Sequence, residues 1–150
     1  MKPTLLALCL AALSGASLAG SVTETPSTLI GSFRSTPHRI CLADAGGGKS
    51  WCSRVADTMR IERTPFGGAR DVKVTAEFNT AQAQVCAFEG MGVWNSHARV
   101  LSVSDPRTGC ELSLAPQGSQ LRAMVARPDQ CNSPCAGRSW VEGVVMRKRQ

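Results

Sequence analysis

The chain has 150 residues, and its 17 lysines and arginines against 11 aspartates and glutamates give a formal net charge of +6. A chain of this length fits one domain and can bury a hydrophobic core without covalent help. The positive charge favours anionic partners such as lipopolysaccharide, peptidoglycan carboxylates or nucleic acid. Because the basic residues are scattered along the sequence, we expect them mainly to maintain solubility, and we expect no nucleic-acid partner.

The N-terminus has the three parts of a secretory signal peptide. A short positively charged segment precedes the apolar run Leu5–Leu13, and small residues follow it. Ser17 and Ala19 occupy the −3 and −1 positions of a signal-peptidase site, which predicts cleavage before Gly20. The apolar run is shorter than the about 20 residues of a membrane anchor, and no later stretch approaches that length. We therefore predict a helical signal peptide over residues 1–19 and a periplasmic or secreted mature protein without a membrane span.

The remaining sequence divides into three parts by composition. Residues 20–27 are mostly Ser, Thr, Glu and Pro, which predicts a flexible lead-in. Residues 28–147 alternate short apolar-periodic runs with Gly- and Pro-containing turn signals, which predicts a single β-rich domain. Residues 148–150 are expected to form a basic tail.

Alternation of apolar and polar residues identifies the strands. The pattern is clearest at Asp71–Phe78, and Thr58–Arg63 repeats it with Met59 and Ile61 facing inward. The sequence is compatible with a short helical turn in two segments, Ser53–Met59 and Thr80–Val85. Further strands are predicted at Leu29–Phe33, Arg39–Leu42, Gln84–Phe88, His97–Val103, Cys110–Leu114, Leu121–Val125 and Ser139–Met146. This series predicts an all-β fold, a small antiparallel β-barrel or sandwich.

The cysteines predict that this domain is cross-linked. Cys9 leaves with the signal peptide, and six cysteines stay: Cys41, Cys52, Cys86, Cys110, Cys131 and Cys135. An even number in an exported chain predicts three disulfides. The pairing of Cys41 with Cys52 is the most local choice, and the other pairings stay open. A zinc site is the alternative, but paired Cys-x-x-Cys units are missing, so we expect no metal.

The segment Ala43–Ser50 resembles a phosphate-binding loop in which Lys49 would reach the phosphates. Such a loop joins a buried strand to a long helix in a parallel sheet, whereas this segment lies between Cys41 and Cys52 with no βαβ pattern. We therefore expect a glycine-rich hairpin loop closed by a disulfide, and no nucleotide or other cofactor.

Catalytic patterns are sparse. His38 and His97 have no neighbouring carboxylate or second ligand, and the chain lacks a Gly-x-Ser-x-Gly elbow and a His-Glu-x-x-His motif. A two-carboxylate hydrolase needs two acids near one cleft, and Glu89 and Glu142 are the candidates because each lies beside a glycine amid apolar residues. We assign no catalytic residue and expect no enzyme, although a Ser/His/Asp set assembled in space stays open.

Two tryptophans stand out as candidate binding residues. The segment Gly90–His97 predicts either a loop that presents Trp94 with Asn95 and His97, or a strand that buries Val93 or Trp94. Trp51 borders the glycine-rich loop beside Lys49, where it could stack on a ligand or cover the disulfide. Tryptophans are over-represented among interface hot spots. The candidate binding residues are therefore Trp94, Asn95, His97, Trp51 and Lys49.

The order of features from Cys86 onward resembles a known group of proteins. It runs through Cys86–Gly90, Cys110–Leu114 and Cys131–Arg138, and the resemblance, over residues 86–150, is to small exported proteobacterial disulfide-rich proteins of lysozyme-inhibitor-like type. It implies a β-rich periplasmic protein that binds or blocks cell-wall hydrolases. The chain has no tyrosine, so the Ser-Gly-x-x-Tyr-like element of such inhibitors has no counterpart. The positive charge would suit an acidic enzyme.

These features predict an exported non-enzymatic binding protein, an inhibitor or immunity-type partner of a cell-envelope hydrolase. Its working surface would be Gly90–His97 or Ala43–Trp51. One alternative is a binding module for an anionic envelope polymer, a lipopolysaccharide or peptidoglycan. The other is a secreted enzyme or toxin whose site does not show in the sequence.

Overall fold

The computed structural model describes residues 23–42, 50–65, 67–68, 71–80, 84–131 and 143–150. The predicted signal peptide over residues 1–19 lies outside these ranges, as do Lys49, Cys135 and Glu142. No helix within the described ranges is long and apolar enough to cross a membrane.

The described residues form ten strands and two short 3-10 helices, Ser27–Leu29 and Pro128–Gln130. The strands are β1 (Gly31–Ser35), β2 (His38–Leu42), β3 (Trp51–Val55), β4 (Thr58–Arg63), β5 (Val72–Asn79), β6 (Val85–Asn95), β7 (Val100–Ser104), β8 (Glu111–Gln117), β9 (Gln120–Val125) and β10 (Val144–Lys148).

Eight of the strands close into an antiparallel barrel in the order β1-β10-β9-β8-β7-β6-β5-β4. Strands β4 to β10 pair with their neighbours in the chain, and β1 closes the ring between β4 and β10. Strands β2 and β3 pair with each other and form a hairpin inserted between β1 and β4. The all-β prediction is confirmed, and of the two predicted architectures the barrel is the correct one. Closure leaves these eight strands without a free edge.

The barrel interior is filled by side chains from alternate residues of each strand. In β5 burial alternates strictly, and Val72, Val74, Ala76 and Phe78 face inward as predicted. Other fully buried residues are Met59, Ile61, Leu101, Val103, Leu112, Leu114, Leu121 and Met146. An eight-stranded barrel is just wide enough for its side chains to fill, so this interior is a packed core.

Strand β6 decides between the two predictions for Gly90–His97. It continues to Asn95, and Trp94 is only 6% exposed within the core, so the strand alternative is correct. The inward-facing Gly92 makes this possible, because a Cβ there would lie 2.7 Å from Val72 Cγ2 and 2.8 Å from Leu101 Cδ1. The predicted loop that presents Trp94 to a partner is therefore wrong.

The predicted short helical turns are also wrong where the structure describes them. Ser53–Val55 belongs to β3, Thr58 and Met59 begin β4, and Val85 begins β6. The cross-strand partners supplied by β2 and β5 hold these residues extended, and local sequence does not reveal such partners.

The domain extends further at both ends than its sequence predicts. Thr25, in the predicted flexible lead-in, is 1% exposed, and its backbone N–H and Oγ1 donate to the Asp71 carboxylate at 2.8 and 2.7 Å. The Arg63 guanidinium also forms an ion pair with Asp71, at 3.1 Å.

The predicted basic tail is also part of the fold. Lys148 belongs to β10, and the Arg149 backbone N–H donates to the Ser32 carbonyl at 2.8 Å.

Candidate functional site

The two ends of the barrel differ in what they carry. The hairpin end holds the β2–β3 hairpin and, of the described connecting residues, Thr80, Gln84, Gly143 and residues 105–110 and 126–131. The turn end holds residues 64–65, 67–68, 96–99 and 118–119 and Asp71.

Disulfides concentrate at the hairpin end. Cys41 is bonded to Cys52 across the hairpin, as predicted, and Cys110 is bonded to Cys131. Cys86, at the start of β6, is also disulfide-bonded. Such cross-links are typical of an oxidising, extracellular-type compartment. They also restrict the motion of the connections that they join.

The hairpin has two distinct faces because side chains alternate along each strand. One face carries His38, Ile40 and Leu42 of β2, with Trp51 of β3 directly opposite Leu42. Ile40 is buried, whereas Trp51 is 65% exposed and Leu42 is 37% exposed. The tip of this face is therefore an exposed apolar pair beside a disulfide.

The large exposed apolar side chains lie on different parts of the barrel. Among the described residues they are Leu42, Trp51, Val85 and Val145. Leu42 and Trp51 are directly opposite each other on the hairpin, whereas Val85 belongs to β6 and Val145 to β10, four strands apart in the eight-strand ring. The strand pairing therefore brings Leu42 and Trp51 together and places Val85 and Val145 on opposite sides of the barrel.

A groove at the base of the hairpin brings together the residue types of a catalytic triad. Ser35, His38 and Asp57 all line it. Their hydrogen bonds do not match a triad: Ser35 Oγ accepts from the Asp57 backbone N–H at 2.8 Å, and Asp57 Oδ1 accepts from the Asn79 backbone N–H at 2.8 Å. Nucleophilic catalysis needs a serine that donates to a histidine, which a carboxylate in turn orients. The observed contacts instead fix the junction between hairpin and barrel.

A second groove, of about 560 Å³, crosses the outer wall of β1, β4, β5 and β6 and includes Glu89. Lys73 Nζ lies 2.8 Å from Glu89 Oε1, and its hydrogen bond and positive charge lower the pKa of Glu89 below the ordinary value. A glycosidase general acid requires the opposite, a raised pKa. Glu89 is therefore not set up as the general acid of such a pair, and Glu142 lies outside the described residues.

The predicted binding residues do not form one site. Asn95 and His97 lie at the turn end, where Asn95 Oδ1 accepts from the Ala98 backbone N–H at 2.9 Å and so holds the turn. His97 is exposed on that turn, and Trp94 is buried beneath it. Trp51 lies at the opposite end of the barrel, and Lys49 lies outside the described residues. Of the four predicted residues that the structure describes, Trp51 is the one opposite another exposed apolar side chain, Leu42.

Sequence reasoning missed Leu42 and Val145 as surface residues. Leu42 had a usable signal, because it follows Cys41 on the strand that leads into the glycine-rich loop. Val145 had none, because Val144–Met146 is apolar at every position and gives no indication of which residue faces outward.

Protein-family models, curated proteins and solved structures give no match to this chain. In the part of the chain that the structure describes, no group of three or more His, Cys, Asp or Glu side chains could hold a metal ion. The role of the hairpin end is therefore inferred from its exposed side chains, disulfides and hydrogen bonds.

Proposed function

We propose that this protein is a periplasmic or secreted, non-enzymatic binding protein that contacts a cell-envelope hydrolase as its inhibitor or immunity-type partner. The contact surface is the hairpin end, centred on Trp51 and Leu42. The observation that carries the proposal is the 65% exposure of Trp51 on a hairpin cross-linked by Cys41–Cys52.

An exposed tryptophan favours a protein partner for an energetic reason. Its indole ring can remove a large apolar area from water while losing little side-chain entropy on binding. Leu42 directly opposite extends the apolar surface. A hot spot of this kind consists of a few buried anchors surrounded by weaker contacts.

The cross-linked hairpin supports tight binding because it is already ordered. A flexible loop pays conformational entropy when a partner fixes it, and a covalently closed hairpin has paid most of that cost during folding. Proteins that block enzymes commonly bind through such rigid segments, with little backbone change on association.

The described hydrogen bonds at the base of the hairpin are structural ones. Ser35 Oγ accepts from the Asp57 backbone N–H, and Asp57 Oδ1 accepts from the Asn79 backbone N–H, so both contacts hold the hairpin on the barrel. The envelope location rests on the predicted signal peptide together with the disulfides.

The proposal is tested by capture from envelope extract with the disulfide-bonded protein as bait. We expect a hydrolase to be retained and inhibited, with retention lost for Trp51→Ala and kept for His97→Ala, which changes the turn end. If no hydrolase is retained and lysozymes keep full activity, the proposal is wrong. Loss of retention with His97→Ala but not with Trp51→Ala would place the contact at the turn end instead.

A further inference from the structure

Nine of the described arginines differ in whether a carboxylate lies beside them. Arg60, Arg63, Arg107 and Arg127 each lie within 3.4 Å of a carboxylate. Arg34, Arg39, Arg54, Arg147 and Arg149 have no acidic partner anywhere in the described ranges of the chain. The second group supplies positive charge that nothing described in the structure neutralises.

Four of these unpaired arginines lie in two directly opposed cross-strand pairs. Arg39 of β2 is opposite Arg54 of β3, and Arg34 of β1 is opposite Arg147 of β10. The Cβ atoms of such residues are about 5 Å apart, and like charges in this position destabilise a sheet. Two pairs of this kind carry a cost in the free protein that an anion between the guanidinium groups would remove.

We propose that the Arg34–Arg147 and Arg39–Arg54 pairs bind phosphate monoester groups of a glycan polymer. Each pair places two fork-shaped donors side by side, with a combined charge of +2. A phosphate monoester carries about −1.5 to −2 at neutral pH and has three acceptor oxygens, so one group can satisfy both forks. A carboxylate has a single charge and two oxygens, which one bidentate arginine already satisfies.

The surroundings of both pairs leave room for such a ligand. Arg39 and Arg54 line an open depression of about 400 Å³ together with Pro37, Cys52 and Ser53. At the other pair, the backbone of Arg149 is fixed to Ser32 by a 2.8 Å hydrogen bond, which keeps a third unpaired arginine on the same seam. A polymer with repeated phosphate groups could contact both pairs, since only four residues separate Arg34 from Arg39 in the chain.

This site is independent of the proposed protein contact. On the hairpin, Arg39 and Arg54 share a face with Cys41 and Cys52, whereas Trp51 and Leu42 lie on the other face. A glycan on the arginine pairs therefore leaves the tryptophan face accessible.

The test compares elution of the full disulfide-bonded protein from phosphocellulose and from carboxymethyl cellulose of equal charge capacity. We expect later elution from phosphocellulose. We expect Arg34→Gln/Arg147→Gln and Arg39→Gln/Arg54→Gln each to elute at markedly lower salt. The control Arg60→Gln/Arg127→Gln removes the same charge from arginines with acidic partners, and we expect it to elute near the unchanged protein.

Two results would overturn the inference. An equal shift for the control variant would show that net charge alone governs retention. Equal or stronger retention on carboxymethyl cellulose would exclude a preference for phosphate. As a competitor on phosphocellulose, lipopolysaccharide should displace the protein at lower charge concentration than poly-L-glutamate does. The reverse order would indicate an acidic protein as the ligand and would also contradict the proposal.

Discussion

At the residue scale, two tryptophans next to glycine-rich sequence have opposite environments. Trp94 fills the core, where Gly92 leaves its neighbours room, while Trp51 is exposed beside a disulfide. We expect Trp94→Ala to lower the free energy of unfolding by about 3–5 kcal/mol, because it leaves a large cavity. Trp51→Ala should change it by less than about 0.5 kcal/mol. Urea denaturation measures both, and equal effects would contradict the assignment of core and surface.

Asp105 gives a prediction about pH. Burial alone would raise the pKa of this carboxyl, but hydrogen bonds from Arg107 and Thr108 together lower its pKa below the ordinary value. The Arg107 backbone N–H donates to Asp105 Oδ1 at 2.8 Å, whereas the buried Oδ2 has no partner among the described residues. A carboxyl with a lowered folded-state pKa adds stability above its unfolded value of about 3.9. That stability is lost as the pH falls through the folded pKa.

The corresponding experiment compares the original protein with Asp105→Asn across pH. We expect the variant to be less stable at pH 7, and the difference to shrink as the pH falls below about 4. Denaturation midpoints at pH 7, 5, 4 and 3 measure this. A difference that stays constant over that range would show that the charge of Asp105 does not contribute.

At the element scale, the β2–β3 hairpin depends on its cross-link more than the barrel does. The Cys41–Cys52 bond spans 11 residues, and a bond closing a loop of about 15 residues contributes roughly 3 kcal/mol in the chain-entropy model. We expect Cys41→Ala/Cys52→Ala to lower global stability by no more than about 3 kcal/mol. Amide hydrogen exchange should rise mainly in β2 and β3, with weaker binding of the captured partner.

The matched control is Cys110→Ala/Cys131→Ala, because Cys110 is 2% exposed within the core cluster. Its removal should raise exchange in barrel strands as well as in the connections. Unchanged exchange in β2 and β3 after loss of Cys41–Cys52 would show that the hairpin is rigid without its disulfide.

At the scale of the whole molecule, the pairing of β1 with β10 closes the barrel. A chain ending at Gly143 would leave β1 and β9 with unpaired edges, which promote association between chains. We expect it to aggregate and to lose cooperative unfolding. A control chain ending at Lys148 keeps β10 and should fold as a monomer. Size-exclusion chromatography with thermal unfolding distinguishes the two, and a monomeric, cooperative Gly143 chain would contradict the role of closure.

The sequence predicts the strands whose two faces differ and fails where they do not. Strands β4 and β5 follow from strict alternation, and the Cys41–Cys52 bond follows from a short glycine-rich loop. The end of β6 stays undecided between loop and strand because Gly90 and Gly92 occupy inward positions that usually hold large apolar residues. The choice between barrel and sandwich stays undecided because β1 and β10 meet across more than 100 residues, which no local pattern records.

The candidate site depends on the same long-range pairing. The arginines are scattered in sequence, and the register of β1 with β10 and of β2 with β3 places them opposite one another. The two tryptophans looked equivalent in sequence, yet the strands bury Trp94 inside the barrel and leave Trp51 exposed on the hairpin. The sequence left both environments open, because each depends on which residues lie across the neighbouring strands.

The most direct test of the account is amide hydrogen exchange of the full disulfide-bonded protein with and without the hydrolase retained in the capture experiment. The account predicts that bound hydrolase slows exchange in residues 38–42 and 51–55 and leaves the turn at residues 96–99 unchanged. Slower exchange confined to the turn end, with no change in the hairpin, would contradict it.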